Sequence, residues 1–254
     1  MGVHAGKVAV CIGSATGLGA ESAYRLAVEG AKVVVGDVNL QAAQGLIERM
    51  RAAGGEGVAV EADIADEAQV NALIRGAAER YGGLDLMHVN AVDTRMGPQD
   101  HDALSTELAV FDRTLEVGLR GHLLCTRAAI PLMLERGKGS IVYTSSDAAK
   151  TAAPAHFSYY VMKAALSALM RHVAIRWGRE GVRANAICPG VVLTETVLRS
   201  MPQDVRDAAL RATPSPRLGL PRDIASLVSF LLSDEAEWIN GQAISIDGGG
   251  VMHG

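Results

Sequence analysis

Short apolar runs alternate along this chain with longer segments whose apolar residues recur at helical spacing. The runs predict strands near residues 7–12, 32–37, 56–61, 84–89, 139–145, 182–188 and 242–246. The segments between them predict helices near 18–29, 40–53, 66–81, 105–135, 157–179 and 221–233. No linker, internal repeat or low-complexity stretch interrupts the alternation. It predicts an α/β fold: a doubly wound parallel sheet covered by helices on both faces, three layers in one domain spanning residues 1–254. Ligands of such sheets bind beyond the carboxyl ends of the strands, where the strand order reverses. One segment breaks the rhythm. From Val191 to Leu218, Val192, Leu193, Val197, Leu198 and Met201 recur at near-helical spacing, followed by Pro202, Pro214 and Pro216. This apolar, proline-bounded stretch suits a lid over an apolar substrate, or a segment that simply packs on the body.

Composition narrows the class. An apolar content of 49% with 20% charged residues is ordinary for a soluble globular chain. The net charge of −4 comes without a basic stripe, which argues against nucleic acid as a partner. Cys11, Cys125 and Cys188 each lie in an apolar run and read as small core residues, neither a disulfide framework nor a metal site. No apolar stretch reaches about 18 residues, so no membrane span is expected. Lys7 directly precedes the first strand, which leaves no room for a leader and makes the cytoplasm the expected location. Ala128, Ala129, Ala164, Ala165, Ala168, Leu166 and Leu169 make the two long helices rich in small and apolar residues, fit for sheet packing or for a subunit interface.

Candidate chemistry sits at the predicted strand ends. The first strand runs into Gly13-Ser14-Ala15-Thr16-Gly17-Leu18-Gly19 and then a helix. Glycines let such a turn approach a ligand closely, and the helix N-terminus suits a pyrophosphate. The second strand ends at Asp37, placed to hydrogen-bond the ribose hydroxyls of NAD. A carboxylate there repels the 2′-phosphate of NADP, and no Lys or Arg stands at 14–16 or 38–39 to offset it. Tyr159 and Lys163 are spaced i, i+4 and share a helix face, and Ser146 precedes them at a strand end. A nearby ammonium favours the phenolate, so this triplet suits proton transfer at an alcohol or carbonyl oxygen. His156 reads more readily as an exposed loop residue than as a substrate contact.

With these residues in place, the chain resembles the short-chain dehydrogenase/reductase family, in its compact form, over nearly its whole length. The resemblance rests on Gly13, Gly17 and Gly19; Asp63-Ile64; Asn90-Ala91; Ser146, Tyr159 and Lys163; Pro189-Gly190 with Val192 and Thr194; and Asp247-Gly248-Gly249. It implies a Rossmann-like fold with Tyr159 as acid/base and Ser146 positioning the substrate oxygen. Lys163 would lower the tyrosine pKa and bind the nicotinamide ribose. Asp63-Ile64 would touch the adenine and Thr194 the carboxamide, with Leu18 in the phosphate turn. It further implies a homotetramer acting on a small-molecule alcohol or ketone.

Four positions depart from the family pattern. Ile12 stands for a usual Thr, Val92 for a Gly, Met162 for a Ser, and Gly118 for a catalytic Asn that holds a relay water. A glycine at 118 removes the amide and leaves space that a further water is expected to fill, so that Gly118→Asn should preserve activity. Three readings follow: an NAD-dependent dehydrogenase of secondary alcohols, a 3-oxoacyl-thioester reductase using NADPH, or a non-catalytic NAD-binding subunit of the same fold.

Overall fold

Every apolar run predicted as a strand forms one, with ends within two residues of the expected positions. The computed structural model describes residues 2–252; residues 1, 253 and 254 of the predicted 1–254 unit lie outside the described residues. The strands are β1 (Val8–Ile12), β2 (Lys32–Asp37), β3 (Glu56–Glu61), β4 (Leu86–Val89), β5 (Gly139–Thr144), β6 (Val182–Pro189) and β7 (Ala243–Ile246). All pair in parallel, in the order β3-β2-β1-β4-β5-β6-β7. The order reverses between β1 and β4, and the crevice beyond their carboxyl ends lies between Gly13 and Asn90. Helices on both faces explain why the central strands read as unbroken apolar runs: all five residues of β1 are buried.

Helices α1 (Gly17–Val28), α2 (Leu40–Ala52) and α9 (Pro221–Leu232) cover one face. They present residues such as Ala23, Leu26, Ile47, Met50, Val228 and Leu231 to Val33, Val35 and Ile187. On the other face lie α3 (Glu67–Tyr81), α5 (Gly121–Glu135) and α6 (Phe157–Trp177), whose Leu73, Ile74, Cys125, Met133, Met170 and Val173 meet Val10, Met87 and Tyr143. Leu26 and Leu231 are fully buried, and truncating either to Ala costs about 2–5 kcal/mol.

Two regions differ from the sequence reading. The single helix expected over 105–135 is α4 (Leu108–Leu115), a π-helical turn (Glu116–Arg120) and α5. The turn carries Gly118 and leads into Gly121, where side-chain carbons of neighbouring elements press on the glycines: a Cβ at Gly121 would stand 2.8 Å from Ile64 Cγ1. The 191–218 segment holds two short helices, α7 (Glu195–Ser200) and α8 (Gln203–Ala212). Its ends are fixed. A bridge joins Val192 to Gly219, and the Ser215 amide donates to the Gly248 carbonyl at 3.0 Å.

Candidate active site

The glycine-rich turn is shaped by contacts that only glycine permits. Gly13 has φ +67°, and a Cβ there would lie 2.3 Å from the Ala91 Cα. Asn90 locks the turn to β4: its Nδ2 donates to the Gly13 carbonyl at 2.7 Å and its backbone amide to the Ile12 carbonyl at 3.0 Å. Thr16 enters α1 without capping it by its side chain, so the first turn of α1, with Leu18 and Gly19, keeps its positive end for an anion. Gly17 faces Thr194 across this turn, 3.6 Å from a virtual Cβ to Thr194 Cγ2. The Asp37 carboxylate accepts from the Ala15 amide and from the Asn39 amide, each at 2.9 Å, and so stands between the glycine turn and the loop after β2. These features fit a dinucleotide: a tight cradle, an uncapped helix end and a carboxylate at the ribose position. Asp63 turns its carboxylate to the Ala65 amide (2.9 Å) and lies 3.9 Å from Arg113, while Ile64 is buried against Gly121.

Ser146, Tyr159 and Lys163 converge beyond β5. Ser146 follows the strand and accepts from the Ala148 amide at 3.2 Å. Tyr159 sits in the first turn of α6, half-buried, and Lys163 is 2% exposed one turn on. The Lys163 Nζ lies 5.5 Å from the Tyr159 ring centroid and donates to the Thr144 carbonyl at 2.7 Å. Burial pushes the Lys163 ammonium down to about 8. At the phenol, burial acts against the effect that the sequence reading expects from Lys163. Burial holds Tyr159 above its ordinary value, against the opposing hydrogen bond of Ser146. The phenol is therefore the neutral, proton-donating form at neutral pH. His156 is exposed, as expected.

The space expected for a water at Gly118 is occupied. A Cβ on Gly118 would meet the Met162 Sδ at 2.7 Å and its Cε and Cγ at 2.8 Å, and Met162 is fully buried. The two departures from the family pattern are therefore one packing event, in which the Met162 thioether fills the room opened at Gly118. Gly118→Asn alone now places a side chain on top of a methionine, and the expectation that it preserves activity falls with the water. Ile12 is a core residue, and Val92 is 37% exposed at the edge of the crevice.

Pro189-Gly190 leads from β6 into the 191–218 segment. Val192 is buried, and the Thr194 hydroxyl caps α7 by accepting from the Val197 amide at 3.1 Å. Asp247-Gly248-Gly249 supports the far end of that segment: a Cβ on Gly248 would stand 2.7 Å from Ser215 Cβ. Two features went unseen in the sequence. Asp147, next to Ser146, is pushed up to about 7 by burial and by Asp247, and its Oδ1 is buried without a hydrogen-bond partner. Asp100 holds the start of α6 from outside it. Neither carries a spacing signal, because each depends on a loop meeting a distant element.

A family model described as enoyl-(acyl carrier protein) reductase matches residues 13–250. A probable short-chain type dehydrogenase/reductase of Bradyrhizobium diazoefficiens is 41% identical over 253 residues, which cover 100% of this chain and 90% of that relative. The chain belongs to the short-chain dehydrogenase/reductase family. Within the family it is similar to 2,5-dichloro-2,5-cyclohexadiene-1,4-diol dehydrogenase of Sphingobium indicum, at 37% identity over 96% of each chain. A solved short-chain dehydrogenase, 7α-hydroxysteroid dehydrogenase complexed with NADH and 7-oxo glycochenodeoxycholic acid, superposes with a TM-score of 0.93. It is 33% identical, with 98% of this chain and 96% of that chain covered. The curated 7α-hydroxysteroid dehydrogenase of Escherichia coli is 34% identical over 97% of this chain and 95% of its own. Short-chain dehydrogenases similar to this chain thus act on alcohols and ketones.

Proposed function

We propose that this protein is an NAD-dependent oxidoreductase that interconverts a secondary alcohol and a ketone on a largely apolar, ring-shaped substrate. The observation that carries the reading is the meeting of Ser146, Tyr159 and Lys163 beyond the carboxyl end of the sheet. Tyr159 moves the proton at the substrate oxygen: the neutral phenol gives it to a ketone and regains it from an alcohol. The Ser146 hydroxyl donates a hydrogen bond to the same oxygen. Lys163 favours the phenolate when the proton leaves and binds the nicotinamide ribose. Bound NAD supplies the hydride acceptor, or donor, at the substrate carbon. Gly13, Gly17, Leu18 and Gly19 hold its pyrophosphate and Asp37 its adenosine ribose. Asp63, Ile64, Asn90 and Ala91 flank the adenine side, and Pro189, Gly190, Val192 and Thr194 the nicotinamide.

The 191–218 segment closes over the substrate as a lid. The ring-shaped substrate class rests on the two named relatives, a cyclohexadiene-diol dehydrogenase and a hydroxysteroid dehydrogenase. The reading extends to a cytoplasmic homotetramer built on the two long helices, whose Leu123 and Ile175 are exposed; among the described residues no helix is long and apolar enough to cross a membrane. A 3-oxoacyl-thioester reductase is the second reading; the matching family model is described by a reductase of acyl carrier thioesters, although of their enoyl and not their 3-oxo form. The Asp37 carboxylate opposes the NADPH that such an enzyme would use. Assaying cyclic secondary alcohols, their ketones and a 3-oxoacyl thioester with NAD(H) and NADP(H) decides between them. The proposal expects turnover of a cyclic alcohol with NAD. Turnover of the thioester with NADPH alone would reject it.

A further inference from the structure

The catalytic helix begins without a cap of its own. Its N-cap residue, His156, makes no side-chain cap bond and holds φ +63°, the one left-handed non-glycine residue among those described. The His156 amide and the first three amides of α6 still have partners, all supplied by two residues far upstream. The His156 amide donates to the Asp100 carbonyl at 2.9 Å and the Phe157 amide to the His101 carbonyl at 3.1 Å. The Ser158 amide donates to Asp100 Oδ1 and the Tyr159 amide to Asp100 Oδ2, each at 3.0 Å. Asp100 is 3% exposed, and among the described residues no Lys or Arg pairs with it. Its loop is braced independently of α6. Asp100 donates its amide to the Gly97 carbonyl, and Asp102 Oδ1 accepts from the amides of Leu104 and Ser105 at 2.9 Å.

We propose that Asp100 is the positioning residue for Tyr159: its carboxylate grips the tyrosine's own amide and the one before it, and so sets where the phenol stands against Ser146. This goes beyond a stabilising cap, because Tyr159 lies in the gripped turn itself. A carboxylate holding two N–H groups at a helix N-terminus stabilises the helix only modestly, but a displacement of the reacting group by about 1 Å costs on the order of 100-fold in rate. The left-handed His156 is the local cost of starting the helix where residues 100 and 101 dictate. The carboxylate also offsets the positive end of α6 beside the phenol. The ionisable groups facing that phenol are Asp147, Tyr160, Lys163 and Cys188, with the Ser146 hydroxyl.

The inference rests on Tyr159 as the acid/base, so Tyr159→Phe is measured alongside it. Asp100→Ala removes both grips, and Asp100→Asn keeps the shape and one acceptor. Asp66→Ala is the structural control. Asp66 caps α3 in the same way, accepting from the Ala68 amide at 2.8 Å and the Gln69 amide at 3.1 Å, and α3 carries no residue of the site. Asp100→Ala should lower kcat about 10–100-fold, with NAD Kd near the wild-type value. Asp100→Asn should recover part of that rate, with the alkaline-rising limb of its pH profile moved towards acid. Asp66→Ala should lower Tm and leave kcat alone. If both Asp100 variants lose only as much Tm as Asp66→Ala, with kcat and pH profile unchanged, Asp100 is a cap and nothing more. If Asp100→Ala does not fold, the pH profile and kcat of Asp100→Asn decide alone. Activity surviving in Tyr159→Phe would instead remove the reading on which the proposal stands.

Discussion

Asp37 and Gly118 show how differently two single residues can be read. Asp37 ends β2, and the structure gives its carboxylate two backbone amides and, among the described residues, no cationic partner, as the sequence pattern implied. Two unit charges at about 4 Å interact by about 4 kcal/mol at an effective dielectric near 20. Asp37→Ala should therefore reduce kcat/KM with NAD and narrow the NAD-over-NADP preference by at least about tenfold; steady-state kinetics with both cofactors checks it. Gly118 was visible as a departure, and so was Met162, yet not their contact, because spacing does not tell which side chain on another helix fills a vacated volume. Overpacking a full core costs about 1–3 kcal/mol. Gly118→Asn should lower Tm and activity, and Gly118→Asn combined with Met162→Ser should recover both. A double variant no better than the single one would mean that the two positions are not coupled.

At the scale of elements, the strands were legible because two-sided burial leaves an unbroken apolar run. The π-helical turn at Glu116–Arg120 was not, since one extra residue in a turn barely disturbs an apolar stripe. The start of α6 was placed correctly from its pattern, but what fixes it was hidden in the loop at 100–101. This gives a prediction at His156. With φ +63°, His156→Gly should relieve about 1 kcal/mol of strain and leave kcat unchanged, raising Tm slightly. A fall in kcat would assign the His156 side chain a role in the site. The lid makes a second case. Gly248 holds φ +69° directly against Ser215, so Gly248→Ala is strained and crowded at once. It should speed amide hydrogen exchange across residues 203–216 and raise KM for the alcohol more than for NAD. Unchanged exchange there would detach Asp247-Gly248-Gly249 from the lid.

For the whole molecule, layer order and topology followed from the alternation of patterns, while one contribution to its pH behaviour comes from a pair that no pattern shows. Asp147 and Asp247 face each other near Gly190, with Asp147 Oδ2 3.3 Å and Asp247 Cβ 2.9 Å from a virtual Cβ there. Burial first, then Asp247, raises Asp147 from 3.8 to about 7. Between those values the folded protein holds a proton that the unfolded chain releases, so this pair makes stability fall as pH rises across that window. Asp147→Asn should melt above the wild type at pH 8, by about 2–4 °C for each kcal/mol, and the gap should close towards pH 4. A gap independent of pH would contradict the assignment. The account of the enzyme itself stands or falls on one comparison. NAD binding by calorimetry and turnover of a cyclic secondary alcohol are measured for the wild type, Tyr159→Phe and Tyr160→Phe. The account predicts NAD binding in all three, a loss of at least about 10²-fold in kcat for Tyr159→Phe, and near-normal turnover for Tyr160→Phe. Full turnover by Tyr159→Phe, or a dead Tyr160→Phe beside it, would contradict it.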